Sequence, residues 1–318
     1  MQMRPLQATA LACQRLPRIY WALFLLVLAG LVSTPQFGTA ANLANVLEQS
    51  ATLAILALGQ AAVIAGGMID LSVGQLVGLI TVVACMLFEA YPAMSLPIIA
   101  VCLGLAAFVG LVNGELVNRL RMSPLILTFG MLSILQGAIF MLTDRSVGQA
   151  PPVMTFLANG RIAGIPASLL LVAAIAVGAW YLLQRSVFGW HLLAIGNSAE
   201  SARKAGLNLA SRTRTAFVLS GLCAGIAGLL VAGRLGTGFP NAGSGLELDS
   251  IVAVVLGGTL LKGGRVSVAG ILGAVLFLGV LSNILNLLQV PAFTQIVVKG
   301  LIVIAAILVD RPREAAAA

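Results

Sequence analysis

The sequence predicts an all-α integral membrane protein with about ten transmembrane helices and both termini in the cytoplasm. Three observations support this fold class: an apolar composition, a series of apolar runs, and a one-sided distribution of basic residues. The chain is 60% hydrophobic and 9% charged, with a mean hydropathy of +1.06. Since a soluble domain carries about a quarter charged residues, this composition indicates a polytopic membrane protein.

Ten apolar runs follow one another along the chain, most of them close to the length of about 20 residues that a helix needs to cross the hydrocarbon core. They cover residues 19–34, 43–66, 72–89, 96–117, 124–142, 166–184, 213–233, 249–261, 268–288 and 293–309. The eighth run is short, so we expect a partial span there. The runs predict a single helical bundle over residues 19–310, flanked by cytoplasmic tails at 1–18 and 311–318.

The basic residues determine the predicted orientation. Fourteen of the eighteen Lys and Arg residues fall in the two tails and the even-numbered gaps between runs, against three in the odd-numbered gaps. Because cytoplasmic loops carry the excess of Lys and Arg, both termini are predicted to be cytoplasmic. The first run, followed by Gly38-Thr39-Ala40, also fits a cleaved signal peptide. The topology of the remaining runs is the same in either case.

Several classes of function are disfavoured by the sequence. The single histidine, His191, has no triad partners in view, and the four cysteines have no metal-binding spacing. The scattered basic residues do not form a patch for nucleic acid. The sequence has no GxxxxGK[ST] phosphate-binding loop, so a separate chain would have to bind any ATP and Mg²⁺. We therefore expect no catalytic residue, metal site or cofactor on this chain.

Residues 63–78, VIAGGMIDLSVGQLVG, place a carboxylate and several glycines between two apolar runs. Such residues interrupt a membrane helix at a cost in stability, so they predict an irregular break that lines a cavity or gate. The orientation places this break toward the cytoplasm, near an inner gate. The residues predicted to form it are Gly66, Gly67, Asp70, Ser72 and Gly74. The alternative is a tight turn in which Asp70 or Ser72 caps the next helix, with capping-box spacing from Ser72 to Gln75.

The long cytoplasmic gap at residues 185–212 is predicted to contain a short helix at residues 197–207, with Ser198 as its N-cap. Its charged side chains, Glu200, Arg203 and Lys204, are predicted to project outward. On these residues alone, a solvated linker is the simpler interpretation.

The outer gap at residues 236–249, GTGFPNAGSGLELD, ends with the carboxylates of Glu247 and Asp249. One interpretation is a surface loop with Asp249 as N-cap of the eighth helix, where an acidic residue is favourable by about 0.3–1 kcal/mol. The other is a contact with an extracellular binding protein, or part of an external gate. Capping explains Glu247 less well than it explains Asp249.

Polar side chains also interrupt the ninth and tenth runs. Asn283, Asn286 and Gln295 are predicted to face the bundle interior, because a polar group that faces lipid stays unsatisfied. They are candidates for lining a transport pathway. Interhelical hydrogen bonding is the alternative for each of them.

Several motifs, in order along the chain, resemble those of one family. They are GGMIDLSVG at 66–74, GLVNGELV at 110–117, SPLILTFG at 123–130, AIGNSAESARKAGLN at 194–208, SGLCAGIAGLL at 220–230, GTGFPNAGSGLELDSIVAVVLGGTLLKGG at 236–264 and QIVVKGLIVIAAILVD at 295–310. The chain resembles the ribose-, arabinose- and xylose-type permeases of bacterial ABC importers from about residue 42 to 310. The gap at 143–165 offers least to match.

The resemblance implies the translocation subunit of an importer in the bacterial inner membrane, with a monosaccharide or a related small polyol as cargo. It implies three partners: a second permease chain, a cytoplasmic ATPase that binds ATP and Mg²⁺, and an extracytoplasmic sugar-binding protein. It also implies that the short cytoplasmic helix is a coupling helix docking on the ATPase. The coupling residues are then Asn197, Glu200, Arg203, Lys204 and Gly206.

Two other functions stay open at this point. A branched-chain amino-acid permease of the same superfamily shares the glycine-rich breaks. A secondary transporter or channel would normally need a carboxylate relay in the membrane, and Asp70 is the candidate for it.

A short internal similarity connects two regions of the chain. VIAGG at 63–67 resembles VVLGG at 254–258, and each precedes a polar break and a Ser-Val pair. Transporters often contain structural repeats, but repeated use of glycine in turns explains so short a similarity equally well.

Overall fold

The computed structural model describes residues 19–309, and the predicted tails at 1–18 and 311–318 lie outside this range. The helices within it are α1 (Ile19–Ser33), α2 (Ala40–Ala65), α3 (Val73–Ala90), α4 (Ser95–Leu120), α5 (Pro124–Leu142), α6 (Pro152–Asn159), α7 (Ala167–Gln184), α8 (Val187–Asn197), α9 (Ala199–Lys204), α10 (Leu209–Leu235), α11 (Leu246–Leu256), α12 (Val268–Leu287) and α13 (Ala292–Val309). One antiparallel hairpin, β1 (Arg161–Ile162) and β2 (Ile165–Pro166), lies between α6 and α7. The predicted all-α membrane fold is confirmed.

Seven helices in the described part of the chain are long and apolar enough to cross a membrane: α2, α3, α4, α5, α7, α10 and α12. The eighth predicted run is α11, whose 11 residues extend about 16 Å, roughly half the hydrocarbon thickness. The first and tenth runs are α1 and α13. The total of ten spans and the cytoplasmic placement of both termini stay predictions.

The central helix of the bundle is α10, which packs against α2, α3, α4 and α6. Its small residues let neighbouring backbones approach closely. A Cβ on Gly221 would collide with the Ala106 carbonyl oxygen of α4, and a Cβ on Gly110 of α4 would collide with the Phe217 carbonyl oxygen of α10. Since lipid supplies no hydrophobic drive between helices, this close packing through small residues is a main source of their association.

Helices α2 and α11 end in the same way. After α2, the N–H groups of Gly67 and Met68 donate to carbonyls three and five residues earlier, at 2.9 and 3.2 Å. After α11, the N–H groups of Gly258 and Thr259 do the same, again at 2.9 and 3.2 Å. Gly67 and Gly258 both have a positive φ, 76° and 85°, which is the Schellman termination that favours glycine. The internal sequence similarity therefore corresponds to two helix ends of the same geometry.

Two helix caps that the sequence offers as alternatives are not formed by the expected side chains. Gly245, with φ 87°, is the N-cap of α11, which places Asp249 at the fourth helical position, one turn after the cap. Ser72 occupies the N-cap position of α3, but its side chain makes no capping bond, so the capping box with Gln75 does not form. The Ser72 side chain is instead held by a neighbouring carboxylate, described below.

The predicted cytoplasmic helix is divided in two. Asn197 is the last residue of α8, and Ser198 accepts a hydrogen bond from the Ser201 N–H at 3.2 Å as the N-cap of α9. The predicted Ser198 cap is confirmed. The helix that it caps has six residues, fewer than predicted.

Candidate functional site

Asp70 is the centre of a buried polar cluster in the break between α2 and α3. Its side chain is 1% exposed. Oδ1 accepts hydrogen bonds from the N–H and O–H groups of Ser72 at 3.0 and 2.6 Å, and Oδ2 accepts one from the Ser220 hydroxyl of α10 at 3.1 Å. The Asn113 amide of α4 donates to Ser72 Oγ at 2.9 Å. The donors to Asp70 compensate the desolvation of its carboxylate, and the cluster joins the break to α10 through Ser220 and to α4 through Asn113.

Thr128 of α5 holds the backbone of the break from another side. Its Oγ1 accepts a hydrogen bond from the Leu71 N–H at 3.1 Å. Its hydroxyl lies 3.2 Å from the Ile69 carbonyl oxygen and 2.8 Å from the Pro124 carbonyl oxygen. Because irregular backbone inside a membrane needs such partners, three spans together stabilise one defined conformation of the break.

Gly74, at the start of α3, allows the outer gap to approach the break. A Cβ at this position would collide with the Glu247 carboxylate and lie 2.8 Å from the Gly243 carbonyl oxygen. Glu247 Oε1 accepts a hydrogen bond from the Gly245 N–H at 3.2 Å, whereas Oε2 is buried and has no hydrogen-bond partner. Glu247 therefore lies at the Gly74 end of α3, about 24 Å from the other end of this helix at Ala90. A contact between Glu247 or Asp249 and a binding protein stays a prediction.

The segment between α10 and α11 folds back along α3. The Thr81 hydroxyl of α3 lies 3.2 Å from the Phe239 carbonyl oxygen, and a Cβ on Gly78 would lie 2.9 Å from the Pro240 carbonyl oxygen. Since these contacts follow successive turns of α3, the segment runs along α3 before α11 begins. A partial span at α11 stays a prediction.

Helix α9 presents charge to its surroundings. Glu200 Oε1 and Lys204 Nζ form an ion pair at 2.7 Å, and their side chains are 79% and 76% exposed. Arg203 is exposed as well, while Ala202 on the opposite face is buried. Gly206 follows the helix with φ 81°, which reverses the chain toward α10. The predicted outward projection of the charged side chains agrees with this exposure, and their role in coupling stays a prediction.

The break glycines Gly66 and Gly67 lie beside α8. A Cβ on Gly66 would be 3.2 Å from Leu192 Cδ2, and a Cβ on Gly67 would be 3.7 Å from the Gly196 Cα atom. The break and the gap at residues 185–212 are separate candidate sites in the sequence, but they are neighbours in the fold.

The three polar candidates in α12 and α13 form hydrogen bonds with one another or with nearby residues. Asn283 and Asn42 of α2 exchange two amide hydrogen bonds, at 2.9 and 3.0 Å. Gln295 Nε2 donates to Asn286 Oδ1 at 2.8 Å and to the Val290 carbonyl at 2.9 Å. These contacts match the interhelical alternative, and a role in lining a pathway stays a prediction.

Sequence reasoning did not select Asn113, Thr128 or Ser220 as site residues. All three are fully or nearly fully buried, and all three touch the break. Each lies within one of the quoted motifs, as a polar residue in an apolar run, and that is the signal that could have identified them. Among the described residues, no group of three His, Cys, Asp or Glu side chains could hold a metal ion.

One family model and several known proteins match nearly the whole chain. The family described as branched-chain amino acid transport system/permease component matches residues 42–307. The ribose import permease protein of Escherichia coli K12 is 37% identical over 302 residues, which cover 91% of this chain and 92% of the relative. The L-arabinose ABC transporter permease protein of Azospirillum brasilense is 36% identical (91% and 86% covered), and the D-allose transport system permease protein of E. coli K12 is 32% identical (89% and 87% covered). No solved structure matches the chain.

Proposed function

The chain belongs to the branched-chain amino acid transport system/permease component family, and on this basis we propose that it is the membrane permease subunit of an ATP-driven monosaccharide importer. The observation that carries the proposal is identity of 37% to a ribose import permease over 91% of the chain. The permease is a multi-pass protein of the bacterial cytoplasmic membrane, and it is a transport component rather than an enzyme.

A sugar is favoured over an amino acid as the cargo. The family description names branched-chain amino acids, but the similar curated proteins transport ribose, L-arabinose and D-allose. These three sugars differ in size and stereochemistry, so membership in this branch supports the class monosaccharide and leaves the individual sugar to experiment.

The permease is proposed to work as two copies with a cytoplasmic ATPase and an extracytoplasmic sugar-binding protein. The ATPase would hold ATP and Mg²⁺. The exposed charged face of α9 supports a role as the coupling element that docks on the ATPase, through Asn197, Glu200, Arg203, Lys204 and Gly206. Closure of the ATPase would displace α9 and rock the spans, which opens a path for cargo between the two copies.

The break from Gly66 to Gly74 is proposed to act as a hinge at the inner gate. The Asp70 cluster supports this role because it fixes the break to α4 and α10 without exposing the carboxylate. The same burial argues against a secondary transporter, since a proton relay needs a path for protons to and from its carboxylate.

Reconstitution in liposomes tests the function. The permease is purified with its ATPase and binding protein, and uptake of labelled D-ribose, L-arabinose and D-allose is measured with and without ATP. We expect ATP-dependent uptake of at least one sugar. Uptake that persists without the ATPase or nucleotide would refute the importer and favour a secondary transporter.

A charge reversal on α9 tests the coupling role. The double variant Arg203→Glu, Lys204→Glu is expected to insert into the membrane normally and to lose sugar uptake, because the reversed charges disturb the docking face. The matched control is Arg145→Glu in the outer gap, which is also exposed. Normal uptake by the double variant would refute the proposal that α9 docks on the ATPase.

A further inference from the structure

The end of α8 contacts two helix breaks: the first lies between α2 and α3, and the second is the loop between α11 and α12. We call the contact the glycine junction and define it as Ala65, Gly67, Gly196, Gly263 and Gly264. The Gly264 N–H donates to the Ala65 carbonyl at 3.1 Å, which connects the loop after α11 to the end of α2. Gly196, the last residue but one of α8, lies against this hydrogen bond. A Cβ on Gly196 would collide with the Ala65 carbonyl oxygen and would lie 2.5 Å from the Gly264 nitrogen.

The two breaks also touch each other within the glycine junction. A Cβ on Gly263 would lie 2.6 Å from the Gly67 nitrogen and 2.7 Å from the Gly196 Cα atom. Gly67 and Gly263 both have a positive φ, 76° and 84°, so a side chain at either position would be strained as well as crowded. Three backbone segments thus meet without any side chain between them.

Two side chains of α8 extend the contact to either side of the glycine junction. Leu192 is fully buried and covers Gly66 at the first break. The Asn197 side chain lies directly against Gly264, where a Cβ would be 2.6 Å from Asn197 Cγ. Helix α8 therefore contacts the first break through Leu192 and the second through Asn197.

We propose that the glycine junction transmits displacement of α8 and α9 to both helix breaks at once, with Gly196 as the positioning residue. The inference rests on the proposed function and identifies where its coupling is made. Backbone groups in direct contact cannot absorb a small movement by changing rotamer, and a fully buried side chain such as Leu192 has no free space in which to do so. A shift of α8 must therefore move the start of the α2–α3 break and the α11–α12 loop together. Both α2 and α11 end in the same Schellman termination where they meet these two segments.

The first test adds a methyl group at the glycine junction. Gly196→Ala and the control Gly178→Ala, whose Cβ would meet no atom within 4 Å, are reconstituted with the ATPase and the binding protein. The probe is whichever of D-ribose, L-arabinose and D-allose the wild-type importer takes up. The measured quantity is sugar transported per ATP hydrolysed, after subtraction of the hydrolysis by the ATPase alone, so that it does not depend on the amount of folded permease. We expect the ratio to fall by about 2- to 30-fold in Gly196→Ala, the range seen for residues along coupled elements, and to stay unchanged in Gly178→Ala.

A second pair of variants decides the question if Gly196→Ala fails to fold. Leu192→Ala loosens the contact between α8 and the first break, while Leu230→Ala removes the same groups from a buried site in α10, distant in sequence from α8 and outside the glycine junction. We expect a lower transport ratio in Leu192→Ala alone, with unchanged affinity for the ATPase. A wild-type ratio in Leu192→Ala, or an equal loss in Leu230→Ala, would overturn the proposal. Absence of ATP-dependent uptake by the wild-type importer would instead refute the proposed function, before any variant is compared.

Discussion

Replacing Asp70 by Ala removes the acceptor of three hydrogen bonds, two within the break and one from α10. The donors are Ser72 N–H, Ser72 O–H and Ser220 O–H, at 3.0, 2.6 and 3.1 Å, and all of them stay in a site that water does not reach. Hydrogen bonds inside membrane bundles contribute about 0.6 kcal/mol on average and up to about 1.7 kcal/mol, so three bonds give about 2–5 kcal/mol. Asp70→Asn keeps one of the two acceptor oxygens, and we expect it to lose about half as much.

The assay for the Asp70 variants is unfolding by sodium dodecyl sulfate in mixed micelles, followed by tryptophan fluorescence. The chain has three tryptophans, which supply the signal. Asp144→Ala, in the exposed outer gap, is the control for removing a carboxylate and should match the wild type. If Asp70→Ala unfolds at the same detergent fraction as the wild type, the cluster does not stabilise the break and the reasoning is refuted.

Three further predictions concern the break, the coupling element and the α2–α12 contact. Gly74→Ala should lower the free energy of unfolding by about 1–3 kcal/mol, because the added methyl group has no space beside the Glu247 carboxylate. The control Gly130→Ala, which has open space around it, should unfold like the wild type in the same detergent titration. Ser198→Ala should destabilise α9 by about 1 kcal/mol, because the helix loses its N-cap hydrogen bond. Hydrogen exchange of the α9 amides should then be roughly fivefold faster, and unchanged exchange would show that the cap does not stabilise the helix. Asn283→Ala should cost about 1–3 kcal/mol through loss of two amide hydrogen bonds to Asn42, and a double-mutant cycle with Asn42→Ala should show that the two losses are not additive.

The break shows how far local sequence can predict a site. Glycines and an aspartate in an apolar run stand out against their neighbours, so Gly66, Gly67, Asp70, Ser72 and Gly74 could be identified without the fold. Their partners could not be identified in the same way. Asn113 and Ser220 are 41 and 150 residues from the groups that they contact, and nothing in the sequence pairs them with the break.

Glu247 illustrates the limit of topology drawn from hydropathy. A gap between two apolar runs predicts an external loop, and this pattern therefore predicts that Glu247 lies outside. In the fold the gap runs back along α3, because its glycines allow direct backbone contact with Gly74 and Gly78. Hydropathy sums apolar residues over a window and contains no information about such close approaches.

The sequence by itself determined the fold class, the predicted orientation and the family, because composition, run length and motif order are properties of the chain that need no contacts. It also indicated that α11 would be short and that Ser198 would cap a helix, since both depend on a few neighbouring residues. The tertiary structure decided which groups satisfy the Asp70 carboxylate, where Glu247 lies, and that Gly196 touches both breaks. The physical reason is the same in each case: these contacts join segments far apart in the chain, and only the packing of α8, α10 and the two helix breaks brings them within hydrogen-bonding or van der Waals distance.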